Sequence, residues 1–135
     1  MKNKKVIAIS YADARELKNV IRIGTDVVTG LPTDVWTEIA MEIPADLELS
    51  SKIDDKIEIF SAKLVFREIC RQNYPPISAY RVKLADNSEL LIGDYDRPYP
   101  VITESQNISS SNSNSQLKEL TVSYSSCKKI PIINN

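Results

Sequence analysis

The 135-residue sequence predicts a mainly β protein, built as a β-sandwich or small barrel with one or two short helices and extended arms. Three observations lead to this class. Several short stretches alternate apolar and polar residues, turn-forming residues separate them, and few segments keep a helical period. Hydrophobic residues make up 42% of the chain and charged residues 26%, a composition typical of a soluble domain that can form one core.

The sequence divides into three parts that we assign to a single domain. Residues 1–104 form a β-rich core, residues 105–116 a polar Ser/Asn-rich arm, and residues 117–135 a closing strand with a C-terminal tail. The serines and asparagines of the arm cannot bury enough apolar surface to offset the entropy lost on ordering. We therefore expect a partner surface to hold the arm, as in a component of a larger assembly.

The N-terminal segment predicts a strand and then a short helix. Residues 6–9 (Val-Ile-Ala-Ile) fit a short strand. Asp13 and Glu16 fit a capping box that opens a short helix through Leu17 and Val20. Residues 20–23 fit a second strand equally well, so the end of the helix stays open.

Residues 35–43 fit a half-buried strand that ends at Pro44, because alternate apolar side chains share one face. Their β-branched side chains favour the strand over a helix that would begin near Pro32. Trp36 lies on the opposite, more acidic face, where we favour a core position over a contact role.

Residues 56–66 carry an alternation that changes phase. Ile57 and Ile59 share one face, and the apolar positions then shift to Phe60 and every second residue after it. A strand with a bulge near Phe60 explains this shift. A helix that continues through Cys70 fits the same spacing nearly as well.

The clearest local pattern predicts a hairpin. Residues 80–84 and 90–92 form its strands, and Asp86 with Asn87 supplies the turn. Residues 93–100 then predict a rigid loop, because Pro98 and Pro100 cannot donate to a strand ladder. The remaining apolar stretches predict a short strand at residues 101–103, a strand at residues 120–124 and a tethered tail at residues 130–133.

The composition argues against most catalytic chemistry, so we expect no cofactor and no enzymatic activity. The sequence contains no histidine, which removes Ser-His-Asp and Cys-His nucleophiles and the usual proton shuttle at neutral pH. Cys70 and Cys127 predict two separate thiols rather than a disulfide. Asp94 and Asp96 leave open a carboxylate-dependent glycan-acting enzyme or an oxygen-ligand metal site, although we favour a role in forming the turn and pairing with Arg97.

The charge and hydropathy patterns also bear on partners. A formal net charge of −1 gives no strong attraction to nucleic acid or anionic lipid. No apolar run reaches the roughly 18 to 20 residues that cross a bilayer. We therefore expect protein partners, with no sequence-specific nucleic acid, membrane or small-molecule substrate.

Tyrosines next to proline-containing loops are the best interface candidates, because amphipathic rings on a rigid backbone lose little entropy on binding. The alternative is that these rings pack over the ends of the sheet with their hydroxyls in water. The candidate interface residues are Tyr95, Arg97, Pro98, Tyr99, Tyr74 and Tyr80.

Residues 90–100 (Leu-Leu-Ile-Gly-Asp-Tyr-Asp-Arg-Pro-Tyr-Pro), a variable polar stretch and a closing strand at residues 118–125 resemble small proteins of phages and prophages of gut Bacteroidetes. The resemblance covers about the last third of the chain and contains no catalytic signature. It implies a β-rich neck, tail or connector protein of the virion, made in the cytoplasm of the bacterial host. Such a protein is expected to assemble as a ring with copies of itself and other virion proteins, with loops and arms at the contacts. A small protein-binding module of a mobile element is the alternative.

Overall fold

The computed structural model describes residues 2–24, 26–69, 73–105 and 118–134. These residues form one mixed sheet of eleven strands, with a 3-10 helix at Ala14–Leu17. The mainly β class is thereby confirmed, and the sheet is consistent with a sandwich-like fold. The strands are β1 Lys2–Asp13, β2 Ile21–Ile23, β3 Val27–Thr29, β4 Thr37–Glu38, β5 Ala45–Asp54, β6 Ile57–Glu68, β7 Ser78–Leu84, β8 Glu89–Ile92, β9 Val101–Ser105, β10 Lys118–Ser126 and β11 Ile132–Ile133.

The strands follow the order β2-β3-β11-β8-β7-β1-β5-β6-β10-β9 across the sheet, and β4 pairs with β1. β1 is the central strand. One of its edges pairs with β7, while β5 and then β4 pair along its other edge. The register between β1 and β7 shifts by one residue between Val6 and Ala8, as at a β-bulge.

A short connection forces the sheet to curl. Only residues 127–131 join the end of β10 to the start of β11, although six strand-to-strand steps separate the two strands in the sheet order. Six steps in a flat sheet span about 29 Å, whereas the connection from Ser126 to Ile132 reaches at most about 22 Å. The two halves of the sheet must therefore turn toward each other.

The curled sheet encloses the main core on what we call its inner face. Buried side chains of β1, β5, β6, β7, β8 and β10 belong to one cluster, and a residue of the β10–β11 connection joins them. Both halves of the sheet thus contribute to a single core, as in a sandwich. Its members include Val6, Ile9, Leu47, Leu64, Phe66, Tyr80, Val82, Ile92, Val122 and Ile130.

A smaller core lies on the opposite, outer face of the strands around β7 and β8. The 3-10 helix contributes Ala14 and Leu17 to it, and the sheet contributes Ala79, Leu91 and Ile133, among others. β7 and β8 are therefore covered on both faces. Double burial explains the continuous apolar run at residues 90–92.

Several sequence predictions are confirmed. The 3-10 helix begins after Asp13, whose side chain accepts a hydrogen bond from the Arg15 backbone N–H. β7 and β8 form the predicted hairpin, with Asn87 in the left-handed region at its turn. β9 and β10 form at the predicted alternations.

The strand predicted at residues 35–43 is wrong over most of its length. Only Thr37–Glu38 forms a strand, paired with β1. The chain then turns away from β1 toward the end of β6, where the Glu42 N–H donates to the Arg67 carbonyl and Met41 forms an isolated bridge with Glu68. Residues 37–38 pair with β1, whereas residues 41–42 pair with the end of β6. Because the segment changes partner, its alternating residues do not form one continuous strand.

The bulge predicted near Phe60 is also wrong, although the strand itself is confirmed. β6 pairs with β5 in continuous register from Ile57 to Val65. The change of phase arises because residues 50–58, at the end of this hairpin, are all exposed and lie beyond the core. Ile57 therefore belongs to a projecting segment rather than to the buried face.

The C-terminal segment is part of the sheet, which corrects the tethered tail expected there. Ile132 and Ile133 form β11, parallel to β3, and Ile132 also pairs with Leu90 of β8. Cys127, in the connection before this strand, is a free exposed thiol, whereas Cys70 and residues 106–116 of the predicted arm lie outside the described residues.

Leu64→Ala should lower the free energy of unfolding by about 2–5 kcal/mol, because Leu64 is fully buried at the centre of the inner core. The measurement is urea unfolding followed by circular dichroism. Ile69→Ala, at an exposed position just after the same strand, is the matched control and should change stability by no more than about 0.5 kcal/mol. Equal losses for the two variants would contradict this placement of the core.

Candidate interaction surfaces

The tyrosine–proline loop (residues 93–100) follows β8 and is held by local hydrogen bonds. The Tyr95 backbone N–H donates to Asp94 Oδ1 at 2.7 Å. The Tyr99 hydroxyl donates to the Tyr95 carbonyl at 3.0 Å. Gly93, with φ 114°, begins the loop against Ala79, in a backbone region that a side chain would strain.

Four of the predicted interface residues lie together on this loop. Tyr95, Arg97 and Pro98 are exposed at its tip. Tyr99 is half-buried, because its ring packs on the outer core while its hydroxyl closes the loop. The loop therefore presents one exposed aromatic ring and one guanidinium on a backbone that is internally braced.

Tyr80 is wrongly predicted as an interface residue. It is fully buried in the inner core, where its hydroxyl accepts a hydrogen bond from Ser78 Oγ at 2.9 Å. It lies on the same face of β7 as Val82 and Leu84, which are also buried. The alternation that predicted the strand thus also placed Tyr80 inside.

Tyr74 is half-buried and belongs to a polar cluster rather than to the loop. Its hydroxyl donates to Glu68 Oε2 at 2.8 Å, and its ring meets Tyr11 edge-on with centroids 5.0 Å apart. Glu68 is buried, so this hydrogen bond satisfies a carboxylate oxygen away from water. The first role of Tyr74 is therefore structural, with only part of its ring accessible.

Asp94 lies between cations from two other elements. Its Oδ2 is 4.0 Å from Arg22 Nη2 of β2 and 4.0 Å from Lys128 Nζ of the β10–β11 connection. Arg22 also donates to the Lys129 carbonyl at 3.1 Å. These contacts join Arg22 in the middle of β2, and Asp94 just after β8, to the connection that curls the sheet.

A groove opens beside this connection. One part, with a volume of about 560 Å³, lies between the β2–β3 turn, the base of the β5–β6 hairpin and residues 127–129. A second part of about 380 Å³ shares Phe60 and Lys129 with it and adds Leu49 and Ile130. The lining combines apolar residues such as Phe60 and Ile130 with charged ones such as Lys129, whose ammonium is 3.3 Å from Asp26.

No local sequence pattern predicts this groove, because its walls come from three segments far apart in the chain. Two local features are consistent with it. Lys128 and Lys129 directly follow a strand, and the apolar alternation of β5 and β6 extends past the length that one core needs.

Exposed large hydrophobic residues concentrate on terminal or projecting elements. Seven of the nine found among the described residues lie on β2, β9, β11, the end of the β5–β6 hairpin or the tyrosine–proline loop. Of these, Ile21, Ile23 and Ile132 lie on one face of neighbouring strands, and a contiguous apolar patch marks a contact surface more often than single scattered residues do. The seven are Ile21, Ile23, Ile53, Ile57, Tyr95, Val101 and Ile132.

Comparison with protein-family models, curated proteins and solved structures gives no match to this chain. Within the described ranges, no group of three or more His, Cys, Asp or Glu side chains is arranged to hold a metal ion. No helix in the described part of the chain is long and apolar enough to span a membrane.

Gly93→Ala should destabilise the fold by about 2–4 kcal/mol, because the new Cβ would require a strained φ and would lie 3.0 Å from the Ala79 Cβ. Gly24→Ala is the matched control. Gly24 also has a positive φ, of 63°, but its Cβ would have open space, so a loss of only about 1 kcal/mol is expected. Urea unfolding measures both, and the same loss in each would show that the Ala79 contact is unimportant.

The stability of the protein should fall as the pH rises above about 10, the pKa of tyrosine in an unfolded chain. Burial raises the pKa of Tyr74, Tyr80 and Tyr124 in the folded state. Above pH 10 the unfolded chain therefore releases protons that the folded chain retains, which favours unfolding. Below that pH the three tyrosines are neutral in both states and their contribution is constant.

Urea unfolding at intervals between pH 8 and pH 11 measures this dependence. Tyr80→Phe should make the alkaline slope shallower by up to about 1.4 kcal/mol per pH unit, since one titrating group is removed. An unchanged slope in this variant would contradict the burial of Tyr80.

Proposed function

We propose that this chain is a non-enzymatic structural protein that assembles through protein–protein contacts, as a ring component in the neck, tail or connector of a bacteriophage virion. The observation that carries the proposal is the concentration of exposed large hydrophobic side chains on terminal and projecting elements. Surfaces of this kind are costly in water and are stabilised when a partner covers them.

The two ends of the sheet support assembly. β2 and β9 are its terminal strands, and no other strand of the described residues lies outside them. Terminal strands commonly carry lysine, proline or a bulge that prevents pairing with other chains. Here Ile21 and Ile23 of β2 and Val101 of β9 are exposed, next to Arg22 in β2 and to Pro100 just before β9.

Two different open ends on one molecule suit a head-to-tail contact. Such a contact joins one surface of a subunit to a different surface of the next, and it produces a ring when the rotation closes. The tyrosine–proline loop adds a second contact, with Tyr95, Arg97, Pro98 and Tyr99 as its interface residues and Tyr74 as a partly accessible neighbour in the chain. Tyr80, which is buried, has no part in it.

The virion setting comes from the resemblance of residues 90–100 and 118–125 to phage and prophage proteins. In this proposal the chain is made in the cytoplasm of the bacterial host and resides in the virion. Its partners are other copies of itself and neighbouring virion proteins.

The groove favours a second candidate function, a small protein-binding module of a mobile element. Three apolar residues in its lining, Leu49, Phe60 and Ile130, can contact apolar side chains of a peptide or protein partner. This candidate predicts a stable monomer that captures one defined partner, whereas the structural role predicts a discrete oligomer.

Deletion of residues 105–116 should impair assembly while leaving the stability of the fold near that of the unmodified chain. Glu104 pairs with Leu120, so the deletion leaves a three-residue connection between β9 and β10, which is enough for a hairpin. Sedimentation velocity measures assembly, and urea unfolding measures the fold.

A variant with residues 105–116 replaced by a Gly/Ser segment of equal length is the matched control. It separates the loss of the native side chains from the loss of chain length. If the deletion variant assembles as the unmodified chain does, the polar tract has no role as an arm.

A further inference from the structure

The two edges of β8 are paired very differently. On one edge, β7 pairs with β8 in continuous register, from Tyr80 with Ile92 to Lys83 with Glu89. An ion pair adds to this ladder, since Arg81 Nη2 lies 2.9 Å from Glu89 Oε2. The edge of β8 that faces β7 is therefore held along the whole strand.

The opposite edge of β8 pairs with β11, and we call this boundary the seam. Among the described residues, Ile132 with Leu90 is the single registered pair across the seam. One further hydrogen bond crosses it, from the Leu91 N–H to the Pro131 carbonyl at 3.1 Å. In the described part of the chain, β2 and β3 join the sheet by strand pairing through β11 alone, so the seam attaches three strands to the rest.

The three strands beyond the seam are paired with one another more fully. The Ile132 N–H donates to the Asp26 carbonyl at 2.6 Å, and the Asn134 N–H donates to the Val28 carbonyl at 2.9 Å. β2 pairs with β3 in continuous register. We call β2, β3 and β11 together the terminal unit, and the seam is its boundary with the main sheet.

Apolar contacts cross the seam on both faces of the sheet. Ile130, in the connection before β11, belongs to the inner core, and Val28 and Ile133 belong to the outer core together with Leu91. Separation at the seam exposes these side chains to water, which is unfavourable. An open seam is therefore a minor state of the folded protein.

Asp94 places a negative charge at the seam, directly after β8. Its Oδ2 lies 4.0 Å from Arg22 Nη2 of the terminal unit and 4.0 Å from Lys128 Nζ of the connection. Its Oδ1 accepts a hydrogen bond from the Tyr95 N–H, which holds the carboxylate at the end of β8. The Asp94 and Arg22 side chains are 26% and 24% exposed, so dissolved ions reach and screen their attraction.

We propose that the sheet opens at the seam, that Asp94 is the latch that keeps it closed, and that ionic strength controls how often it opens. Salt weakens the attraction of Asp94 for Arg22 and Lys128 without removing the backbone ladder between β7 and β8. The open state releases the Leu91 N–H and exposes part of the outer core. This device is independent of the proposed virion role.

Amide hydrogen exchange, measured by mass spectrometry with single-residue fragmentation, tests the seam directly. The Leu91 N–H bonds across the seam, whereas the Ile92 N–H points toward β7, because successive N–H groups of a strand point to opposite edges. After correction for intrinsic rates, Leu91 should exchange at least about tenfold faster than Ile92 in the unmodified chain. Global unfolding alone would expose both amides equally.

The latch is tested with Asp94→Asn, which removes the charge but keeps an oxygen for the hydrogen bond within the loop. This variant should speed the exchange of Leu91 about two- to fivefold. The unmodified chain in about 1 M sodium chloride should show a similar increase, and salt should add little in Asp94→Asn, whose latch is already absent.

Asp46→Asn is the matched control. It removes an exposed ion pair of 2.6 Å between β1 and β5, which lie beyond β7 in the sheet order. That pair stays intact when only the seam opens, so this variant should leave the exchange of Leu91 unchanged.

The two parts of the proposal fail separately. If Leu91 exchanges no faster than Ile92, the seam does not open ahead of the rest of the fold and the proposal is overturned. If Leu91 exchanges faster but Asp94→Asn has no more effect than Asp46→Asn, the seam opens without this latch and control by ionic strength through Asp94 is wrong.

Discussion

The short connection between β10 and β11 is the constraint on which the rest of the structure depends. Because residues 127–131 cannot span a flat sheet, the strands must curl until both halves face one core. Ile130 fills that core from within the connection. Contacts among Arg22 in the middle of β2, Lys128 of the connection and Asp94 just after β8 then hold the connection in place.

Curling encloses only the middle of the apolar face. Among the described residues the sheet has eleven strands, and exposed isoleucines remain at the end of the β5–β6 hairpin and on β2 and β11. Charged residues also lie at these margins, among them Arg22, Lys52 and Asp54. The exposed isoleucines at these margins are the basis for the proposed role in assembly.

Local sequence patterns predict the hairpin and the proline-containing loop of this structure, but they do not predict which distant strands pair. The alternation of Tyr80, Val82 and Leu84 predicts a strand, and it also predicts that these three side chains share one buried face. The hairpin was therefore predictable, and so was the burial of Tyr80, which contradicts its assignment as an interface residue. The pairing of Ile132 with β3 and β8 depends on partners about 105 and 42 residues away, which no local pattern encodes. The loop at residues 93–100 was predictable from its prolines, whereas the groove assembled by Arg22, Phe60 and Lys129 was not.

Native mass spectrometry of the unmodified chain across a concentration series tests the central claim most directly, because it counts subunits. The account predicts a discrete oligomer of defined copy number, because a head-to-tail contact whose rotation closes forms a ring. A strict monomer at every concentration would contradict self-assembly and would favour a binding module whose exposed isoleucines are covered by a different protein.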